Sequence, residues 1–274
     1  MPLVDPVPLL LEPDQLDTLL GADDLLVLDL RSRDAHEAGH VPGAVSANYT
    51  DFVQARPPAM GLLPTLDTLG DVLGRLGVKP GRLVVTYDDE GGGRGARVVW
   101  TLHALGHDHC ALLNGGFQAW SREGHRLETG PSIPIAVRYN AKLDNPGVIA
   151  TKEYILSQLG SDDLTLVDTR SRAEFEGTDI RALRGGHIPT AVNLNWTDAM
   201  DRKRNFRMLP DETLWAKLHA LAVEPGKEVV VYCHTHHRSA HTYLMLTHLG
   251  FQRVRGYAGA WSEWGNDPDL PIET

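Results

Sequence analysis

Cysteine is scarce: 274 residues contain two, Cys110 and Cys233, far apart in the chain. That excludes the dense disulfide framework of a small secreted domain and leaves two thiols expected to be reduced. Positive charge is also short, with 26 Lys and Arg against 36 Asp and Glu and a formal net charge of -10. Broad binding to nucleic acid or to an anionic membrane surface needs a basic face that releases counterions, so neither partner is expected. A small anion remains possible if the chain builds a local positive trap. No apolar run approaches the roughly 20 residues of a bilayer span. The opening Met1-Pro2-Leu3-Val4-Asp5-Pro6 lacks the basic start and long apolar stretch of a secretory signal, which makes the cytoplasm the expected compartment. What is present is ordinary for a globular protein, 42% hydrophobic and 23% charged residues. At roughly 150 residues per domain the length suggests about two domains.

The chain says nearly the same thing twice. Leu28-Asp29-Leu30-Arg31-Ser32-Arg33, followed by Gly39-His40-Val41-Pro42 and Asn48-Tyr49, returns as Val167-Asp168-Thr169-Arg170-Ser171-Arg172, Gly186-His187-Ile188-Pro189 and Asn195-Trp196. A displacement of about 140 residues exceeds the 20 to 50 of a solenoid unit and marks a duplicated domain. Short Val- and Leu-rich runs at 25–30, 83–87, 164–167 and 228–232 read as buried strands. Helical patterns cover 68–76, 96–105, 211–222 and 239–249, with Gly77, Gly106 and Gly250 standing where helices end. Strands alternating with helices imply an α/β fold, each domain a mostly parallel sheet with helices on both faces. The Gly- and Pro-containing stretch 123–146 has a linker's composition. The boundary is expected near residue 135, giving domains 1–135 and 136–274.

Duplication supplies an internal control: what both halves share belongs to the fold, and what one half alone has is a candidate for chemistry. The paired Asp29-x-Arg31 and Asp168-x-Arg170, and the paired His40 and His187, read as structural, at strand ends and in turns. The junction after the second strand differs. Aligning Val84-Val85-Thr86-Tyr87 with Val229-Val230-Val231-Tyr232 sets Asp88 opposite Cys233. An acidic, glycine-rich loop follows Asp88, whereas Cys233 is followed by His234-Thr235-His236-His237-Arg238.

A loop leaving the carboxyl end of a central strand and entering a helix turns several backbone N–H groups inward. A cysteine at its first position feels those groups, the helix dipole and the nearby Arg238, all of which favour thiolate over thiol. Cys233 is therefore the candidate nucleophile. Cys110, in Cys110-Ala111-Leu112-Leu113, reads as a small buried hydrophobe. The loop histidines can equally be solvated residues that tolerate exposure.

These residues resemble the tandem-domain rhodaneses, or thiosulfate sulfurtransferases. The likeness runs from Asp29-x-Arg31 to Gly256-Tyr257-Ala258-Gly259-Ala260-Trp261, which is similar to the family's terminal motif and is echoed by Gly115-Gly116-Phe117-Gln118-Ala119-Trp120. The loop resembles that of a bacterial subgroup carrying Thr-His-His-Arg, and Asp88 resembles the family's non-catalytic first domain. The resemblance implies an enzyme that moves sulfane sulfur from thiosulfate, a small anionic donor, to cyanide or another thiophilic acceptor through a persulfide on Cys233, without metal or other cofactor. Arg238 would hold the loop and the donor. One departure concerns Glu174, where relatives often have an arginine before the aromatic residue, so Arg181 or Arg184 is a candidate substitute for substrate binding. Trp196 is a candidate pocket wall. 3-Mercaptopyruvate is the alternative donor. Readings of other classes are a cysteine-dependent phosphatase, disfavoured because four residues separate Cys233 from Arg238 where phosphatase loops have one more, and a zinc module using Cys233, His236 and His237.

Overall fold

The structure, a computed structural model, describes residues 7–274; the opening Met1–Pro6 lies outside the described residues. The chain divides into two compact units. One comprises the chain up to Phe52, Pro64–Asn145 and Asp201–Met208, and the other Val53–Leu63, Pro146–Met200 and Leu209–Thr274. Each unit thus takes one short segment from the other half of the sequence, an arrangement that composition does not announce.

Both units are built on a five-stranded, wholly parallel sheet flanked by helices. In the first, the strand order is Leu10–Leu11, Cys110–Leu113, Leu83–Tyr87, Leu25–Asp29, Val45–Ser46. In the second it is Val192–Asn193, Leu164–Asp168, Glu228–Tyr232, Val254–Tyr257, Ile149–Ala150. Central strands of a sheet covered on both faces run to nearly continuous apolar residues. Leu83–Tyr87 is buried throughout, and Val229–Tyr232 likewise.

The conserved pairs within the duplication are structural clamps. Arg31 chelates Asp29 and donates from Nη2 to the Gly39 carbonyl at 2.7 Å. Arg170 repeats this on Asp168 and the Gly186 carbonyl, also at 2.7 Å. Each ties a strand end to the turn that carries His40 or His187. Those histidines in turn bond the carbonyls of His36 and Phe175. A buried ion pair is kept only when its remaining hydrogen-bonding capacity is used, and here it is.

The first unit retains its chain through Asn145, ten residues past the expected boundary. The reason lies on the helix Leu66–Leu76 and at its left-handed cap Gly77. A Cβ added at Gly70, Gly74 or Gly77 would stand 3.0, 2.6 or 2.9 Å from the carbonyl oxygens of Tyr139, Val137 and Ile135. The missing side chains let the linker backbone lie directly on the helix, where Val137 N donates to the Gly74 carbonyl at 2.9 Å.

Candidate functional site

The strand Glu228–Tyr232 ends at Cys233, and the helix Arg238–His248 begins five residues later. The turn between them is closed by a left-handed residue, His236, at φ 55°. His236 is fully buried and its Nδ1 lies 2.8 Å from Ser239 Oγ, so it shapes the loop from inside. Two carbonyls at the loop's start are held by the later segment: Trp261 N donates to Cys233 O at 2.9 Å and Ser262 N to His234 O at 3.0 Å.

Cys233 is 1% exposed. Burial alone would raise its pKa; the Arg238 charge, the Ser239 hydroxyl and the backbone N–H groups of Ser239 and Thr235 act the other way and prevail, lowering it from 9.0 to about 7. Arg238 is held by a two-toothed pair with Glu174, Nη1 to Oε2 at 2.6 Å and Nη2 to Oε1 at 2.9 Å. The Glu174 side chain is 2% exposed. Burial works to raise its carboxyl, yet the Arg238 guanidinium and the Ser171 N–H and hydroxyl hold it down at about 2. Ser171 and Glu174 form a capping box at the start of the helix Arg172–Phe175, which fixes the carboxylate before Arg238 reaches it. The result is a buried thiol lowered to about 7 beside a cation that Glu174 anchors from behind.

The model of the rhodanese-like domain matches residues 12–123 and again 151–267. The chain belongs to the rhodanese-like domain family. Over its full length it is 42% identical to the thiosulfate sulfurtransferase of Pseudomonas aeruginosa, covering 100% of both chains, and 42% identical over 268 residues to that of Azotobacter vinelandii, covering 97% of each. A sulfur carrier protein of Thermus thermophilus is 32% identical over 251 residues and 86% of both chains. The anaerobic ergothioneine biosynthesis enzyme from Chlorobium limicola superposes with a TM-score of 0.88 at 21% identity, over 97% of this chain and 70% of that one, a likeness of fold alone.

The first rhodanese-like domain shows what the same loop geometry does when filled. Asp88 Oδ1 accepts from Glu90 N at 3.0 Å and Gly92 N at 2.8 Å, while Oδ2 accepts from Arg94 N at 2.9 Å and Gly95 N at 3.0 Å. A fully buried carboxyl thus occupies the amide ring. Burial and Glu90 push the Asp88 carboxyl up, against those N–H donors, which favour the ionised form. The Asp88→Asn variant would turn an NH2 group toward two N–H donors. It is expected to lose about 2–5 kcal/mol of stability in denaturant unfolding while sulfur transfer per folded molecule persists.

Other candidates fall into place unevenly. Trp196 lies beside the rhodanese loop, its ring 5.8 Å from that of His237 and edge-on to buried His241 at 5.7 Å. Arg181 is half exposed, paired with Asp179 at 2.8 Å and 3.7 Å from Glu174, so it stands on the outer side of the anchor. Arg184 is half-buried. Its guanidinium donates to the carbonyls of Leu270, at 2.7 Å, Trp264, at 3.1 Å, and Asp267, pinning the C-terminal segment. Of the zinc reading's histidines, His236 is turned to Ser239 and His237 lies against Trp196. Among the described residues no three His, Cys, Asp or Glu side chains converge as a ligand cluster. Cys110 is buried, with its thiol pushed up by that burial. Sequence reasoning missed Glu174 as the anchor of Arg238 and Ser239 as a donor to the sulfur. The Ser-x-x-Glu spacing of a capping box was the available signal for the first.

Proposed function

We propose that the chain is a thiosulfate sulfurtransferase and that Cys233 carries the transferred sulfur. The observation that supports this most is a buried cysteine whose thiol is lowered to about 7 by Arg238, Ser239 and Thr235 despite complete burial. The Cys233 thiolate attacks the outer sulfur of thiosulfate. The donor's S–S bond breaks with its electron pair leaving on sulfite, and a persulfide anion remains on Cys233. Inward N–H groups of His234 through Arg238 stabilise its terminal sulfur, in the way the first domain's amides hold the Asp88 carboxylate. A thiophilic acceptor, cyanide or a cellular thiolate, then bonds to that terminal sulfur and Cys233 leaves as thiolate, giving ping-pong kinetics.

Arg238 has the charge to draw in a small dianion, and Trp196 and His237 have the position to wall its path. Every step is nucleophilic displacement at sulfur, so the reaction calls for neither metal nor organic cofactor. The reading places the enzyme in the cytoplasm, where free thiols persist; no helix among the described residues is long and apolar enough to cross a membrane. Intact-mass measurement after incubation with thiosulfate tests it. The expected product gains one sulfur atom, loses it again to cyanide, and does not form in Cys233→Ala; a gain of mass that persists in that variant would place the sulfur elsewhere.

A further inference from the structure

The hairpin Gln54–Arg56 and Ala59–Leu62 comes from the first half of the sequence yet folds as part of the second unit. Its contacts converge on the Cys233 loop. Gly61 is buried, and a Cβ added there would stand 2.2 Å from the carbonyl oxygen of Thr235, 2.6 Å from its carbon and 2.7 Å from the carbonyl oxygen of Ala258. One residue away, Met60 N donates to Ser262 Oγ at 3.0 Å. Ser262 Oγ itself donates to Gly259 O at 2.9 Å, and Ser262 N donates to His234 O at 3.0 Å. Ser262 therefore links the hairpin, the terminal motif and the loop.

Peptide geometry turns these outward contacts into an inward effect. The His234–Thr235 bond is trans, since Pro57–Pro58 is the one cis bond among the described residues. In a planar trans peptide C=O and N–H point in opposite directions. With the His234 carbonyl held by Ser262 N, the Thr235 N–H is turned the other way, and that N–H is among the influences that lower the Cys233 thiol. The next peptide obeys the same rule: its Thr235 carbonyl packs close against Gly61, and the His236 N–H points away from that carbonyl.

We propose that the 54–62 hairpin is a positioning element of the sulfur site, with Gly61 and Ser262 as positioning residues that hold the two peptides after His234 in the orientation that aims their N–H groups at Cys233. Gly61 acts by having no side chain, which lets the hairpin backbone close on the Thr235 carbonyl. Ser262 acts by fastening Met60 to the segment that grips His234. The inference rests on the reading of Cys233 as the sulfur carrier, and it assigns to the first half of the chain a part in the chemistry of the second.

The test is the pH profile of iodoacetamide alkylation at Cys233, followed by peptide mass in the full chain for wild type, Gly61→Ala, Ser262→Ala and Ser262→Thr. Both Gly61→Ala and Ser262→Ala are expected to move the alkylation midpoint upward by about 0.5–1 pH unit, cutting the rate at pH 7 about 2- to 5-fold. Ser262→Thr, which keeps the hydroxyl, is expected to restore the wild-type midpoint. A role confined to stability would lower the unfolding midpoint and leave the alkylation profile of folded protein in place; that result in both Gly61→Ala and Ser262→Ala overturns the proposal. Should the wild-type profile itself lie near pH 9, the reading of Cys233 fails instead, so the two failures are separable.

Discussion

Replacing Arg238 with methionine is expected to cost both activity and stability, by separate routes. The guanidinium is the largest of the influences that lower the Cys233 thiol against its burial. A thiol at about 7 is half ionised at neutral pH, whereas one returned to 9.0 is about 1% ionised, so alkylation and sulfur loading at pH 7 fall by up to about 50-fold. The same substitution leaves Glu174, 2% exposed, as a carboxylate without its cation. Breaking one side of a buried pair costs about 3–5 kcal/mol because the remaining charge is stranded. Denaturant unfolding at pH 7 reads that loss. The sign with pH follows from Glu174: its carboxyl is held at about 2 in the folded chain against 4.5 ordinarily. The pair's contribution is full above pH 4.5 and fades as pH falls toward 2. Wild type and variant should therefore converge in stability on acidification.

Replacing Cys233 with serine is the second large effect. A hydroxyl at that position has the same amides and the same cation around it, yet it ionises far above neutral pH and cannot form a persulfide. Sulfur transfer from thiosulfate to cyanide is expected to drop to the rate seen without enzyme, a loss beyond about 10³-fold. Stability should change little, because serine is close in volume and Ser239 and Thr235 offer it hydrogen bonds. Cyanide-dependent thiocyanate formation and a thermal melt on the same preparation measure the two halves of that expectation.

Much of this was legible in residues alone, for identifiable reasons. The strands at 83–87 and 228–232 stand where mostly apolar runs put them, since a sheet covered on both faces leaves little room for polar residues. The helix at 66–76 begins two residues before the periodic pattern because Thr65 caps it, its hydroxyl accepting from Thr68 N. Aligning the halves set Asp88 opposite Cys233, and the structure gives both the same strand-end place, each carbonyl bonded by an N–H of the later motif, Phe117 or Trp261, at 2.9 Å.

Long-range partnerships were not legible. Glu174 looked like a departure in charge; it is the anchor of an arginine 64 residues away, and no local pattern encodes that distance. Arg184 looked available for substrate because nothing in its neighbourhood names the three carbonyls it binds some 80 residues later. The hairpin at 54–62 carries a Pro-Pro turn but no alternation of apolar and polar residues, so neither its strands nor its membership in the second unit could be read.

Sulfur transfer by this chain requires Cys233 to ionise near neutral pH in spite of its burial. The direct measurement is the ultraviolet absorbance of thiolate as a function of pH, taken as the difference between wild type and Cys233→Ala. A single titration centred near pH 7 is the predicted result; a midpoint at or above 9, the range of an ordinary or a simply buried thiol, would contradict it.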